Sequence, residues 1–109
     1  MELKEQKKKD TIILEVKGRL DTTNYGELEK KLTELFDNNE KNILLNFHEL
    51  DYVSSAGLRV LLLFLKRAKA ENGSLAICDL KKNIEDIFKI SGFNTLFEIY
   101  DNQNDVLGE

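Results

Sequence analysis

The chain has 109 residues, of which 41% are hydrophobic and 33% charged, a composition typical of a soluble globular domain rather than a disordered chain. Its net charge of −4 argues against nucleic-acid binding, its longest apolar run (residues 60–65) cannot span a bilayer, and its single cysteine, Cys78, offers no disulfide or metal-ligand pair. Because the N-terminus does not resemble a signal peptide either, we expect a single cytoplasmic domain over residues 1–109, with no cofactor, metal ion or membrane attachment.

Two strand patterns open the chain. Residues 3–8 are polar and can form only an edge strand. Residues 11–18 place three apolar side chains on one face at a period of two, and Gly18 is expected to close this strand. The turn at residues 9–10 would pair the two segments in an antiparallel ladder.

A helix and a second strand follow. The apolar residues of 23–37 recur with the helical period, and Asn24 followed by Glu27 has the spacing of a capping box. Residues 42–47, "NILLNF", are apolar at consecutive positions (43–45) rather than alternating. That pattern is typical of an inner parallel strand that is covered on both faces.

The second half of the chain repeats the alternation. Residues 55–72 predict a helix, with Gly73 as its left-handed C-terminal cap. Residues 74–78 predict a buried strand, 83–91 a short helix and 96–100 a last strand.

The order of these elements predicts the fold class. Strands that alternate with helices form a parallel sheet through right-handed crossovers. We therefore expect a small α/β domain with a mixed, mainly parallel sheet of four to five strands and crossover helices. The acidic tail, residues 101–109, is expected to form a helical turn or to fray.

No catalytic centre emerges from the sequence. The stretch "VSSAG" at 53–57 lacks the first glycine of a G-x-S-x-G nucleophile elbow, and the only histidine, His48, has no identifiable partner. No glycine-rich loop with a Gly-Lys-Ser/Thr ending is present to hold a nucleotide phosphate. We therefore expect a protein without enzymatic activity, and a nucleotide-hydrolysing or serine-hydrolase domain is the least favoured hypothesis.

The two serines of "VSSAGL" lie where a buried strand gives way to a buried helix. Ser54 fits an ordinary helix N-cap. Ser55 would lie in the first turn at the carboxyl edge of the sheet, where the helix N-terminus favours a negative charge such as a phosphate. Arg59, four residues on, can bind either that phosphate or a partner's carboxylate. From the residues alone, a plain cap is favoured over a phosphorylation switch.

Three stretches resemble the STAS domain family, specifically the bacterial anti-sigma factor antagonists. "GRLD" at 18–21 is similar to the family's turn between the second strand and the first helix. Residues 42–62 resemble the central strand and the phosphorylatable motif, and residues 80–100 resemble the closing helix and strand.

The resemblance implies a partner-switching function. In the family, a serine in the motif Asp-Ser-Ser/Thr-Gly-Leu is phosphorylated by a kinase that is also an anti-sigma factor. The unphosphorylated antagonist binds this kinase and frees the sigma factor, and a serine phosphatase resets the phosphorylated form. By position, Ser55 matches the phosphorylated serine. Ser54 replaces the usual aspartate and is a candidate minor acceptor.

The resemblance also implies a partner-binding surface, formed by the loop after the second strand and by the start of the central helix. Its residues are Asp21, Thr22, Thr23, Asn24, Ser54, Ser55, Ala56, Gly57, Leu58 and Arg59. The leading hypothesis is an anti-sigma factor antagonist that Ser55 phosphorylation switches off and that is a monomer when free. The alternative is a constitutive STAS docking or scaffold subunit that phosphorylation does not regulate.

Overall fold

In the computed structural model, which describes residues 1–108, strands and helices alternate along most of the chain. The strands are β1 (Glu2–Lys8), β2 (Thr11–Leu20), β3 (Asn42–Asn46), β4 (Leu50–Val53), β5 (Ser74–Cys78) and β6 (Glu98–Tyr100). The helices are α1 (Tyr25–Asp37), α2 (Ser55–Ala70), α3 (Lys82–Ser91), a 3-10 turn (Phe93–Thr95) and α4 (Gln103–Leu107).

The six strands form one mixed sheet in the order β1-β2-β3-β5-β6, with β4 paired to the far end of β2. β1 is antiparallel to β2, and every other pairing is parallel. The predicted α/β class with a mainly parallel sheet is confirmed, and the polar edge strand is present. The sheet has one strand more than the four to five expected, because β4 lies between the predicted strand at 42–47 and the predicted helix at 55–72, where the sequence predicts no element.

β2 continues past the glycine that was expected to end it. Gly18 has a φ of +91°, and the register of pairing shifts between Gly18 and Arg19. Up to Glu15 the strand pairs with β3, whereas from Gly18 to Leu20 it pairs with β4. Glycine adopts a positive φ without the steric penalty of a side chain, so the strand bends here without ending.

The core lies mainly on one face of the sheet. α1, α2 and α3 cover that face, and Leu28, Leu61 and Phe88 are among the fully buried residues they contribute. α4, formed by the tail, packs Val106 and Leu107 over a smaller apolar group on the opposite face. β3 is buried on both sides, as its run of apolar residues predicted. Glu109 lies outside the described residues.

The end of α2 differs from the prediction for Gly73. Asn72, with a φ of +59°, takes the left-handed conformation instead, and Gly73 lies against the backbone of Lys41. The glycine is needed for this close approach between two chain segments. None of the helices in residues 1–108 is long and apolar enough to cross a membrane.

Candidate functional site

The carboxyl ends of β2 and β4 bring together the two segments that carry the predicted site. Arg19 pairs opposite Tyr52 and Leu20 opposite Val53. The backbone N–H of Ser54 then donates to the carbonyl oxygen of Leu20 at 2.9 Å. The loop after β2 therefore lies beside the start of α2.

Ser54 is the N-cap of α2, as predicted. Its backbone is extended (φ −89°, ψ 171°), and its Oγ accepts a hydrogen bond of 3.2 Å from the N–H of Gly57. The residue is only 9% exposed. Its hydroxyl is thus occupied in holding the first turn of the helix.

Replacing this cap tests its contribution to folding. We expect Ser54→Ala to lower the free energy of unfolding by about 1 kcal/mol, because the Gly57 N–H loses its acceptor, and Ser54→Asp to retain most of the stability. Urea unfolding monitored by circular dichroism measures both. Equal midpoints for wild type and Ser54→Ala would show that the cap hydrogen bond contributes no stability.

Gly57 allows the start of α2 to pack directly on the sheet. A Cβ at this position would lie 2.7 Å from Cγ of Leu20 and 3.0 Å from Cγ2 of Val53. Both contacts are closer than carbon atoms normally approach. The absent side chain therefore fixes how closely the first turn of α2 sits against β2 and β4.

Ser55 is the first residue of α2 and is exposed. No acidic residue lies in the first turn of this helix. The unpaired N–H groups and the dipole of a helix N-terminus favour negative charge. The geometry therefore places the exposed Ser55 hydroxyl at the positive end of the helix dipole.

A set of short hydrogen bonds holds the loop of residues 21–24. The carboxylate Oδ1 of Asp21 accepts from the Thr23 hydroxyl at 2.6 Å and from the Thr23 N–H at 2.9 Å. The Asn24 side chain donates to the Arg19 carbonyl at 2.7 Å and accepts from the Asp21 N–H at 2.9 Å. Asn24 therefore stabilises the loop, and the predicted capping box is wrong because this side chain does not cap α1.

These contacts lower the pKa of Asp21 below its usual range. The largest cause is the hydrogen bond from the Thr23 hydroxyl, followed by the Thr23 N–H and by Arg19, whose Nε lies 3.5 Å from Oδ2. Each of these groups stabilises the ionised carboxylate. Asp21 therefore stays negatively charged over the physiological pH range.

Removing the hydroxyl donor tests this cause. We expect Thr23→Val to raise the pKa of Asp21 towards its ordinary value, because the first of the stabilising hydrogen bonds is lost. Since the folded pKa is depressed, the contribution of Asp21 to stability is present above the unfolded pKa and is lost as the pH falls through the folded value. NMR titration of the Asp21 carboxyl carbon measures the pKa. An unchanged value in the variant would assign the depression to the backbone and Arg19 alone.

The structure adds two residues to this surface that sequence reasoning missed. The guanidinium of Arg19 lies over the ring of Tyr52, 4.4 Å from its centroid, and Tyr52 is 36% exposed. They are neighbours because β4 pairs with β2. No local sequence signal indicated this pairing, because the pattern of β4, with Leu50 and Val53 buried and the two residues between them exposed, does not have the period of a strand.

The predicted site residues occupy different depths. All ten lie in the two adjoining segments, but they do not all form surface. Exposed are Thr22, Thr23, Ser55 and Arg59, half-buried are Asp21, Asn24 and Ala56, and buried are Ser54, Gly57 and Leu58. The buried three position the start of α2 beneath the exposed residues.

Comparison with models of known protein families assigns the chain to one family. The model of the STAS domain matches residues 2–106. The chain belongs to the STAS domain family. Among the relatives of this STAS domain, BtrV of Bordetella bronchiseptica, which is named as an anti-sigma factor antagonist, is 38% identical over 84 residues, covering 77% of this chain and 72% of BtrV.

Solved structures share the fold of this STAS domain. One from Thermotoga maritima, also named as an anti-sigma factor antagonist, superimposes with a TM-score of 0.93 at 19% identity, covering 97% of this chain and 92% of the other. The phosphorylated form of the Bacillus protein SpoIIAA superimposes with a TM-score of 0.74 at 16% identity, covering 96% of each chain. At these identities the likeness establishes the fold of the domain.

Proposed function

We propose that this STAS domain is an anti-sigma factor antagonist of the bacterial cytoplasm. In its unphosphorylated form it binds an anti-sigma factor that is also a serine kinase, and this binding releases the sigma factor. Phosphorylation of Ser55 ends the binding, and a serine phosphatase restores it. The observation that carries the proposal is the exposed Ser55 at the first turn of α2, beside the exposed loop after β2.

The names of relatives support the class of partner. BtrV, the relative with 38% identity, is named for antagonism of an anti-sigma factor. SpoIIAA, which shares the fold, is known in a phosphorylated form. Both fit a domain that acts by binding a protein rather than by turning over a substrate.

The geometry favours Ser55 over Ser54 as the acceptor. The Ser54 hydroxyl is buried and accepts the hydrogen bond from Gly57, so phosphorylating it would disturb the helix cap. Ser55 is exposed, and a phosphate there would gain from the helix N-terminus. A phosphate adds about −1.5 to −2 charges at neutral pH, so it can change binding without unfolding the domain.

One feature favours a second candidate function. Ser54 stands where the family motif usually has an aspartate, and this removes a carboxylate from the sequence that a kinase would recognise. In that case the same surface would bind its partner constitutively, as a docking or scaffold subunit. The two functions share the surface and differ only in whether Ser55 is modified.

Phosphopeptide mapping distinguishes them. The purified chain is incubated with ATP and a lysate of its own host, beside Ser55→Ala and Ser54→Ala as matched controls, and is analysed by intact-mass and peptide-mapping mass spectrometry. We expect one phosphate on Ser55, absent from Ser55→Ala and retained in Ser54→Ala. A phosphate on Ser54 alone would place the switch one residue earlier. No phosphate, with a partner still bound, would establish the constitutive function.

A further inference from the structure

α2 carries a charge opposite to that of the rest of the chain. Its sixteen residues include four basic side chains, Arg59, Lys66, Arg67 and Lys69, and no acidic one. Since the whole chain has a net charge of −4 and α2 contributes +4, the remainder carries −8. The helix is thus a local cationic feature on an acidic domain.

Only part of this positive charge is used inside the fold. Arg67 forms ion pairs of 2.6 Å with Asp37 and with Glu71. Arg59 and Lys66 are exposed, and neither forms an ion pair with any residue in the range 1–108. Lys69 is likewise exposed and has no ion pair among these residues, so three cations of the helix remain available to a binding partner.

Two of these cations, Arg59 and Lys66, share one exposed face with Ser55 and with an exposed leucine. Spacings of four, four and three residues keep Ser55, Arg59, Leu63 and Lys66 on one side of a helix, and we call these four residues the α2 stripe. Leu63 is 51% exposed, although it lies in the middle of a core helix. The buried residues of α2, including Gly57, Leu61 and Phe64, lie on the opposite side.

We propose that the α2 stripe is a docking surface for an acidic protein face that presents carboxylates to Arg59 and Lys66 and an apolar side chain to Leu63. Charge complementarity selects this occupant, because α2 carries four basic side chains and no carboxylate on a chain that is otherwise strongly negative. Exposed apolar side chains within a charged rim are typical of protein interfaces. That this occupant is the anti-sigma factor rests on the function proposed above.

This surface gives the phosphate at Ser55 a specific effect. Residues four apart on a helix lie about 5–6 Å from each other at Cβ, so the phosphate would lie within reach of Arg59. It would pair with that guanidinium and repel the partner's carboxylates. One modification would thus remove a cation from the α2 stripe and add a negative charge to it.

A peptide titration tests the surface without the natural partner. The probe is a synthetic amphipathic helix with glutamates on successive turns and leucines between them, added to the isotope-labelled chain and followed by NMR. We expect amide shifts confined to the α2 stripe, which disappear with a glutamine version of the peptide and in Arg59→Glu/Lys66→Glu. The control, Lys4→Glu/Lys30→Glu, changes the net charge equally at exposed lysines elsewhere and should bind as wild type does. Shifts elsewhere, shifts retained after charge reversal at the stripe, or no shifts at all would overturn the proposal.

Association kinetics with the kinase that is purified from the host lysate by its activity on Ser55 provide the second readout. We expect Arg59→Glu/Lys66→Glu to slow association about tenfold at low salt, with the difference shrinking at high salt. An unchanged rate would overturn the docking surface while leaving the Ser55 switch intact. If no kinase modifies Ser55, the switch fails, and the peptide titration still decides whether the α2 stripe binds acidic faces.

Discussion

Ser55→Asp is expected to weaken binding of the anti-sigma factor by tenfold or more, whereas Ser55→Ala leaves the affinity within about threefold of wild type. A carboxylate at the first turn of α2 places negative charge on the binding surface, and like-charge contacts across an interface cost several kcal/mol. Alanine removes the phosphorylatable hydroxyl without adding charge. Isothermal titration calorimetry with the purified partner measures the three affinities.

The control for this experiment distinguishes the effect of a negative charge at position 55 from the effect of a more negative net charge. Asn104→Asp adds the same single negative charge at an exposed position of α4, on the opposite face of the sheet. It should bind the partner as wild type does. The free energy of unfolding of both Ser55 variants should stay within about 0.5 kcal/mol of wild type, as is usual for exposed positions. Equal affinities for wild type, Ser55→Ala and Ser55→Asp would remove Ser55 from the binding surface.

Gly73→Ala is expected to lower the free energy of unfolding by about 3 kcal/mol, the upper end of the usual cost of overpacking. A Cβ at this position would lie 2.1 Å from the carbonyl oxygen of Lys41. That oxygen accepts the hydrogen bond of 2.7 Å from the Ser74 N–H, which joins the starts of β3 and β5. Because both groups belong to the backbone, the clash can be relieved only by separating the two chain segments. Thermal and urea unfolding measure the loss.

Gly26 provides the matched control for this substitution. It lies in α1, and a Cβ there would meet no atom within 4 Å. Gly26→Ala should therefore stabilise the domain by up to about 1 kcal/mol through helix propensity. If Gly73→Ala also left the stability unchanged or higher, the close approach to Lys41 would not constrain the fold.

The strand and helix alternation could be predicted because its signals are strong and local. β2 places Ile12, Leu14 and Val16 on one face at a period of two, β3 has an unbroken apolar centre at residues 43–45, and α2 repeats its buried apolar residues with the helical period over sixteen positions. β4 could not be predicted, because its four residues follow a pattern of buried, exposed, exposed and buried. It becomes a strand only through its pairing with β2, which depends on the bend at Gly18.

The candidate site was likewise predictable only in part. The cap by Ser54 was predictable, because a serine before an apolar helix has one common use. The hydrogen-bond partner of the Asn24 side chain was predicted wrongly. The side chain donates to the carbonyl of Arg19 instead of capping α1, and that carbonyl comes within reach only when the loop folds back. The stacking of Arg19 on Tyr52 joins residues 33 positions apart in the chain, and local sequence patterns carry no information on such a contact.

The pairing of β4 with β2 has a consequence for the energetics of recognition. The main chain at the site is anchored before any partner arrives, by the Ser54–Leu20 hydrogen bond and by the contacts within residues 21–24. A surface that is already ordered loses little conformational entropy on association, so more of the contact energy becomes affinity. Such a preorganised surface also needs no slow rearrangement before it binds. Under the function proposed above, binding would therefore follow the phosphorylation state of Ser55 as fast as the modifying enzymes act.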